Sequence, residues 1–322
     1  MNSDRSQKGL ALISALLIVS LASVLAAARM FALQLETQAS QALLGATQAR
    51  LVALGIEELA AEIMARDALD SDTDHYGEPW FRGISDMSVG PMRIRGTIED
   101  MQGRFNLNNL VTRQGTPDMI AVGQFRRLLG VLGLDETIAL KALDWMDADN
   151  LPQPAGGAED EAYTRLFPPY QAPNRPMEDV SELLAVEGVD AETWRLLSPH
   201  VTALPVTGPP IPVNVNTATV EVLLSIAEYP DRAQVQNWRE RQLAGGMTDL
   251  EEVQAALPSR MAERVSLSSN WFSLRVAVNA DGTRFYLSSL LDRGLGQVRA
   301  RRQGLPPEAW LAPVEDQERK SP

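Results

Sequence analysis

KGLALISALLIVSLASVLAAA, residues 8–28, opens with a lysine and then carries no charge until Arg29. As a helix rising about 1.5 Å per residue, Leu10–Ala28 spans roughly 28 Å, close to the roughly 30 Å of hydrocarbon in a bilayer. Arg5 and Lys8 precede the run with Asp4 as their only acidic companion, which predicts a cytoplasmic N-terminus and a translocated body. Ala26-Ala27-Ala28 also offers the small-residue site of a removable signal peptide. Against that, the run is longer than the roughly 7–15 residues of a signal core. Small and apolar residues also continue past it at helical spacing, at Leu33, Leu35, Ala39, Ala42, Leu43, Ala46, Ala49, Val52, Ile56, Leu59, Ala60 and Ile63. One helix from Leu10 to about Arg66 is expected, apolar all round at first and amphipathic later, with one end in a membrane or fibre and the other on a globular domain.

Beyond the helix, His75–Phe81 and the glycines at 77 and 83 read as loop. Met92–Asp100 alternates Met92, Ile94, Gly96 and Ile98 against Arg93, Arg95, Thr97 and Glu99, a half-buried strand. A turn at Met101–Gly103 leads into RFNLNNL, a second strand or a strand end. Residues 117–200 change to helical periodicity, interrupted by a proline- and glycine-rich acidic stretch. VNVNTATVEVLLSIA (213–227) reads as a helix from about Ala218, capped by Thr217 or Asn216. WFSLRVAVNA and TRFYLSSLLDR alternate again around a turn at Asn279–Gly282, an antiparallel hairpin expected to complete the sheet. A weak internal echo runs through the middle: 179–184 is like 249–254, and 106–110 is like 214–218.

A formal charge of -13 repels phosphate backbones, so nucleic acid is not an expected partner. The absence of cysteine excludes disulfides and thiol chemistry, and His75 and His200 have no ligand-spaced neighbours, so a histidine-rich zinc site is not expected. No hydrolase elbow, phosphate loop or nucleophile–base pair with credible spacing is present, so no enzyme is expected. The densest chemical signal is acidic: Asp144, Asp147 and Asp149, then Glu159, Asp160 and Glu161, separated by LPQPAGGA. Carboxylates on a bent loop without histidine suit calcium. On composition alone, a solvated acidic loop is the better account of them.

Lys8-Gly9-Leu10, a short leader ending in glycine before a hydrophobic helix, resembles the prepilin peptidase site of type IV pilins and type II secretion pseudopilins. The resemblance implies cleavage between Gly9 and Leu10 by prepilin peptidase and methylation of Leu10. Most such proteins carry glutamate at the fifth mature residue, where this chain has Ser14. That glutamate is thought to neutralise the terminal amine of the neighbouring subunit, so its lack points to a subunit at the tip of the fibre; alternatively Ser14 is only a small residue tolerated in a membrane helix. The stretches 100–110, 144–149, 157–163, 168–184 and 212–218 follow, in order, the pattern of the K-type minor pseudopilin family.

That resemblance implies an α+β fold: a pilin-like long N-terminal helix packed on an antiparallel sheet, with a large inserted α-helical, SAM-like sub-domain. The expected divisions are a leader at 1–9, a transmembrane part at 10–33, a pilin-like first part at 34–110, the insertion at 111–210, helices and closing strands at 211–300, and a flexible tail at 301–322. It further implies calcium held by Asp147, Asp149, Glu159 and Asp160, I-type and J-type minor pseudopilins as partners, and residence in the bacterial inner membrane with a periplasmic body. Residues 212–218 with the following helix also look like the helix-hairpin-helix elements of DNA-uptake proteins. A membrane-anchored DNA-binding protein or a type IV pilus minor pilin is therefore the alternative, although Glu228-Tyr229-Pro230-Asp231 at the hairpin lacks the basic neighbours that meet phosphate.

Overall fold

The computed structural model describes residues 3–206, 208–280 and 282–304, with side-chain surroundings from Ile13 onward, Ser85 excepted. In chain order the elements are α1 (Ser3–Asp70), β1 (Ile84–Val89), β2 (Met92–Asp100), β3 (Phe105–Asn106), α2 (Met119–Val131), α3 (Ile138–Asp144), α4 (Asp160–Tyr163), α5 (Ala191–Leu197), β4 (Val201–Thr202), β5 (Val213–Asn214), α6 (Val220–Ile226), α7 (Arg232–Leu243), α8 (Leu250–Ala255), α9 (Ser259–Ala262), β6 (Val265–Ser266), β7 (Trp271–Ala280), β8 (Thr283–Asp292) and β9 (Gln297–Gln303).

No proline interrupts α1, and its two halves meet different surroundings. From Ile13 to Leu35 its large apolar side chains face solvent, as Ile13 at 66% and Phe31 at 63% exposure illustrate, and the helix is long and apolar enough to cross a membrane. Further along, Ala49, Ala53, Ile56, Ala60 and Met64 are buried against Ile94, Ile98, Phe272, Leu274, Val276 and Val278 of a five-stranded antiparallel sheet ordered β1-β2-β7-β8-β9. Alanines on the contact stripe let the helix lie close to the sheet, and each apolar side chain removed from water adds about 25 cal/mol per Å². Glu57, buried among them, accepts hydrogen bonds from Ser289 Oγ at 3.0 Å and Arg301 Nε at 2.7 Å, fixing β8 and β9 to the helix.

Two strands differ from expectation. β1 occupies residues for which no element is expected, and β9 runs three residues into the segment expected as tail from 301. Arg301 there pairs with Glu57, and Arg302 pairs with Asp179, so the edge strand is tied on one side to α1 and on the other to the helical lobe. The remainder of the expected tail, 305–322, lies outside the described residues.

The lobe boundary also moves. One apolar core runs from Phe105 to Leu267 and takes in Val213, Val222, Ile226, Val235, Trp238, Val253 and Val265, so α6–α9 belong to the helical lobe and not, as expected for 211–300, to the pilin-like domain. The reason is a tandem repeat, the physical form of the echo in the sequence. In the first unit Asn108 donates through Nδ2 to the Met177 carbonyl at 2.9 Å and accepts from the Met177 amide at 2.8 Å. In the second, Asn216 donates to the Met247 carbonyl at 3.0 Å and accepts from its amide at 2.7 Å. Two residues later Asp179 and Asp249 each cap a short helix, and each unit closes with a parallel bridge, β3 on β4 and β5 on β6. α2 packs on α6, with the Arg127 guanidinium donating to the Ser225 and Ile226 carbonyls at 2.8 and 3.2 Å. The lobe is held to the sheet by buried Asp100 at the end of β2, which accepts from Asn214, Thr217 and Ser269 at 2.9, 2.6 and 2.6 Å.

Candidate metal centre

The two units differ at one turn. In the second, Ala244–Gly246 suffices between α7 and Met247, with Gly245 and Gly246 at φ 118° and 85°. In the first, the whole acidic stretch lies between α3 and Met177. It is founded on an aromatic cluster: Tyr163, fully buried, meets Trp145 edge-on at 5.1 Å and stacks on Tyr170 at 5.4 Å. Asp144 anchors the return of the loop by accepting from the Gln153 amide at 3.0 Å. Gly157 passes so close that a Cβ there would lie 2.1 Å from Asp144 Oδ2, so only glycine fits.

Above this floor Asp147, Asp149 and Glu159 each bring one carboxylate oxygen within 4.8 Å of the others. Asp147 is held by its amide bond to the Leu143 carbonyl at 2.9 Å, continuing the turn of α3. Asp149 is exposed and makes an Asx turn, its Oδ1 accepting from the Leu151 amide at 2.8 Å. Glu159 stands at the cap position of α4, yet its side chain does not cap the helix. Instead it is buried, and neither of its oxygens nor either oxygen of Asp147 has a hydrogen-bond partner.

Four orphaned carboxylate oxygens in one place are costly without positive charge. The electrostatics register that cost. Burial, reinforced by Asp149, pushes Asp147 up to about 6, and burial, reinforced by Asp144 and Asp147, pushes Glu159 up to about 7. Asp144 is likewise pushed up to about 7, chiefly by burial. Hard oxygen donors with no competing hydrogen bonds fit a hard divalent cation.

Asp160, expected as a fourth ligand, is placed differently. Its Oδ1 accepts from the Ala172 amide at 3.0 Å and its Oδ2 from Gln171 Nε2 at 3.2 Å, so it closes the loop and stands outside the trio. Asn174, which sequence reasoning passed over, reaches the same segment, donating to the Asp149 carbonyl at 3.3 Å and to Asn150 Oδ1 at 2.7 Å. Its signal was asparagine between Pro173 and Pro176, a residue that tolerates a left-handed backbone.

A second trio, Asp67, Asp74 and Glu78, also brings oxygens within 4.8 Å. Here Arg293 supplies the charge, its fork on both oxygens of Asp74 at 2.6 and 2.7 Å and its Nη1 3.2 Å from Asp67. Glu78 accepts from the His75 amide and Trp80 Nε1 at 3.0 and 2.7 Å. Gly9 and Leu10 lie within α1, with their surroundings outside the described ones; Ser14 lies on the exposed part of the helix. His200 shares a hydrogen bond of 2.8 Å with Thr219, the cap of α6, and His75 accepts from the Gly77 amide at 3.0 Å.

Residues 103–206, the span that holds this centre, match the family model described as type II secretion system (T2SS), protein K. The chain is 37% identical over 314 residues to the type II secretion system protein K of Pseudomonas aeruginosa, covering 92% of each. To the protein of the same name from Klebsiella pneumoniae it is 33% identical over 331 residues, covering 96% of this chain and 99% of that one. Among solved structures, a chain of the GspK-GspI-GspJ complex from the enterotoxigenic Escherichia coli type 2 secretion system superposes with a TM-score of 0.69 at 27% identity, over 81% of this chain and 97% of that one.

Proposed function

The chain belongs to the type II secretion system protein K family, a minor pseudopilin, and we propose that it is a non-catalytic subunit at the tip of the pseudopilus, where it starts assembly together with I-type and J-type minor pseudopilins. The observation that carries the proposal is α1 itself: one uninterrupted helix whose first half presents bare apolar side chains while its second half is packed on the sheet. Such a helix anchors in a membrane and can be handed to a bundle of like helices without refolding. The bulk of the lobe supports a terminal position, because many copies wound around thin helices would bring their lobes into collision. Ser14 in place of the fifth-residue glutamate supports it as well. One relative of known structure is a chain of the GspK-GspI-GspJ complex, which supports the choice of partners.

Prepilin peptidase would cleave between Gly9 and Leu10, Leu10 would be methylated, and the body would lie in the periplasm with the uncleaved N-terminus cytoplasmic. Calcium would be held by Asp147, Asp149 and Glu159, supplying the positive charge that their orphaned oxygens lack. Co-expression of the full chain with the I- and J-type subunits of its own system tests the reading. Recovery of a three-component complex with one copy of this chain is expected. Filaments of this chain alone, or duplex DNA bound at physiological salt while the two subunits are ignored, would contradict it.

A further inference from the structure

Three carboxylates leave a calcium ion short of the roughly six to eight oxygens it takes. We infer that the side-chain oxygen of Asn174 is a further ligand of the ion, an inference that rests on the calcium reading of the Asp147, Asp149 and Glu159 trio. Two features of Asn174 point the same way. Its Nδ2 is spent on the Asp149 carbonyl and on Asn150 Oδ1, which ties the amide to the segment that carries Asp149. Because the Asp149 carbonyl can only accept, the amide is fixed with nitrogen on that side and oxygen on the other. That oxygen is buried and has no hydrogen-bond partner, the condition it shares with the oxygens of Asp147 and Glu159.

The backbone is compatible with this placement. Asn174 sits at φ 48°, a left-handed conformation that asparagine adopts more readily than most residues other than glycine, so the turn accepts this side chain at little cost. A neutral amide oxygen also suits the site chemically. It adds a hard donor without adding charge to a centre that already carries three carboxylates.

The test uses the full chain in detergent, with calcium titrated calorimetrically and terbium as a luminescent stand-in whose lifetimes in light and heavy water count coordinated waters. Asn174→Gly removes the oxygen and keeps the left-handed backbone. Its calcium affinity is expected to fall about 10- to 100-fold, with about one more water on terbium. Asn150→Ala, which removes a partner of the amide and leaves the oxygen, is expected to weaken binding less and to leave the water count unchanged. Wild-type affinity and water count in Asn174→Gly would overturn the role of Asn174 and leave the carboxylate trio standing. A wild-type chain that takes up no calcium would overturn both.

Discussion

Two carboxylate trios in this molecule have the same donor spacing and opposite electrostatics. Asp67, Asp74 and Glu78 sit where α1 ends against the sheet and the lobe, around an arginine whose side chain is only 9% exposed. Asp147, Asp149 and Glu159 sit on a loop inserted in the first repeat, with no cation of the protein's own among the described residues beside them. In the first trio every carboxylate has a donor; in the second, both buried members have none. Proximity alone does not make an acidic cluster a candidate metal site; the buried oxygens without partners are what sets the loop trio apart.

The comparison breaks most violently at Arg293. Replacing it by alanine leaves Asp74 buried and unpaired, and a loss of about 3–5 kcal/mol is expected, read as a lower denaturant midpoint at unchanged slope. The corresponding charge removal in the loop has the opposite sign. With calcium chelated at pH 7.5, Glu159→Gln relieves a buried carboxylate and should raise stability by something on the order of 1 kcal/mol, while abolishing any gain on adding calcium. Thermal melts of the two variants beside the parent chain check both. A fall in stability for both would mean that the loop trio is internally paired after all.

What could be read from sequence, and what could not, follows from how each element is held. α1 was legible because its apolar run and its alanine stripe are intrinsic to the chain, and it extends only a turn past the expected end at Arg66. β2 was legible because Ile94, Gly96 and Ile98 alternate with exposed Arg93, Arg95 and Thr97. β9, QVRARRQ, offers almost no apolar residue, since it is an edge strand defined by its bonding to β8 and kept soluble by its arginines. β1 was hidden for the same reason, with Met87 and Val89 exposed on the opposite edge. In the loop, residue type brought the acids between Asp144 and Glu161 forward, and only the family resemblance singled out Asp147, Asp149, Glu159 and Asp160 among them. Which of two adjacent acids, Glu159 or Asp160, turns inward is decided by the Ala172 amide, distant in sequence, and no local pattern announces that.

Melting across pH, measured with and without calcium, separates a loop that holds the ion from one that does not. Asp147, Glu159 and Asp144 are raised to about 6, 7 and 7 in the fold, against roughly 4 for unfolded carboxylates. Between about pH 4 and pH 7 the chelated native state therefore holds more protons than the unfolded chain, and its stability must fall as pH rises through that window. Asp67, raised to about 7 by burial and then by Glu78 and Asp74, adds a fall of the same sign that calcium does not touch. Calcium would bind the deprotonated loop, so with the ion in excess the loop would hold no extra protons and its fall in stability with pH would be cancelled; at about 100 times Kd the ion would add about 2.7 kcal/mol. Melting curves for the full chain are expected to coincide near pH 4 and to diverge progressively towards pH 7.5, the calcium curve above the chelated one, with the divergence lost in Asp147→Ala and Glu159→Ala. Curves that run parallel at every pH, with and without calcium, would contradict calcium binding by the loop.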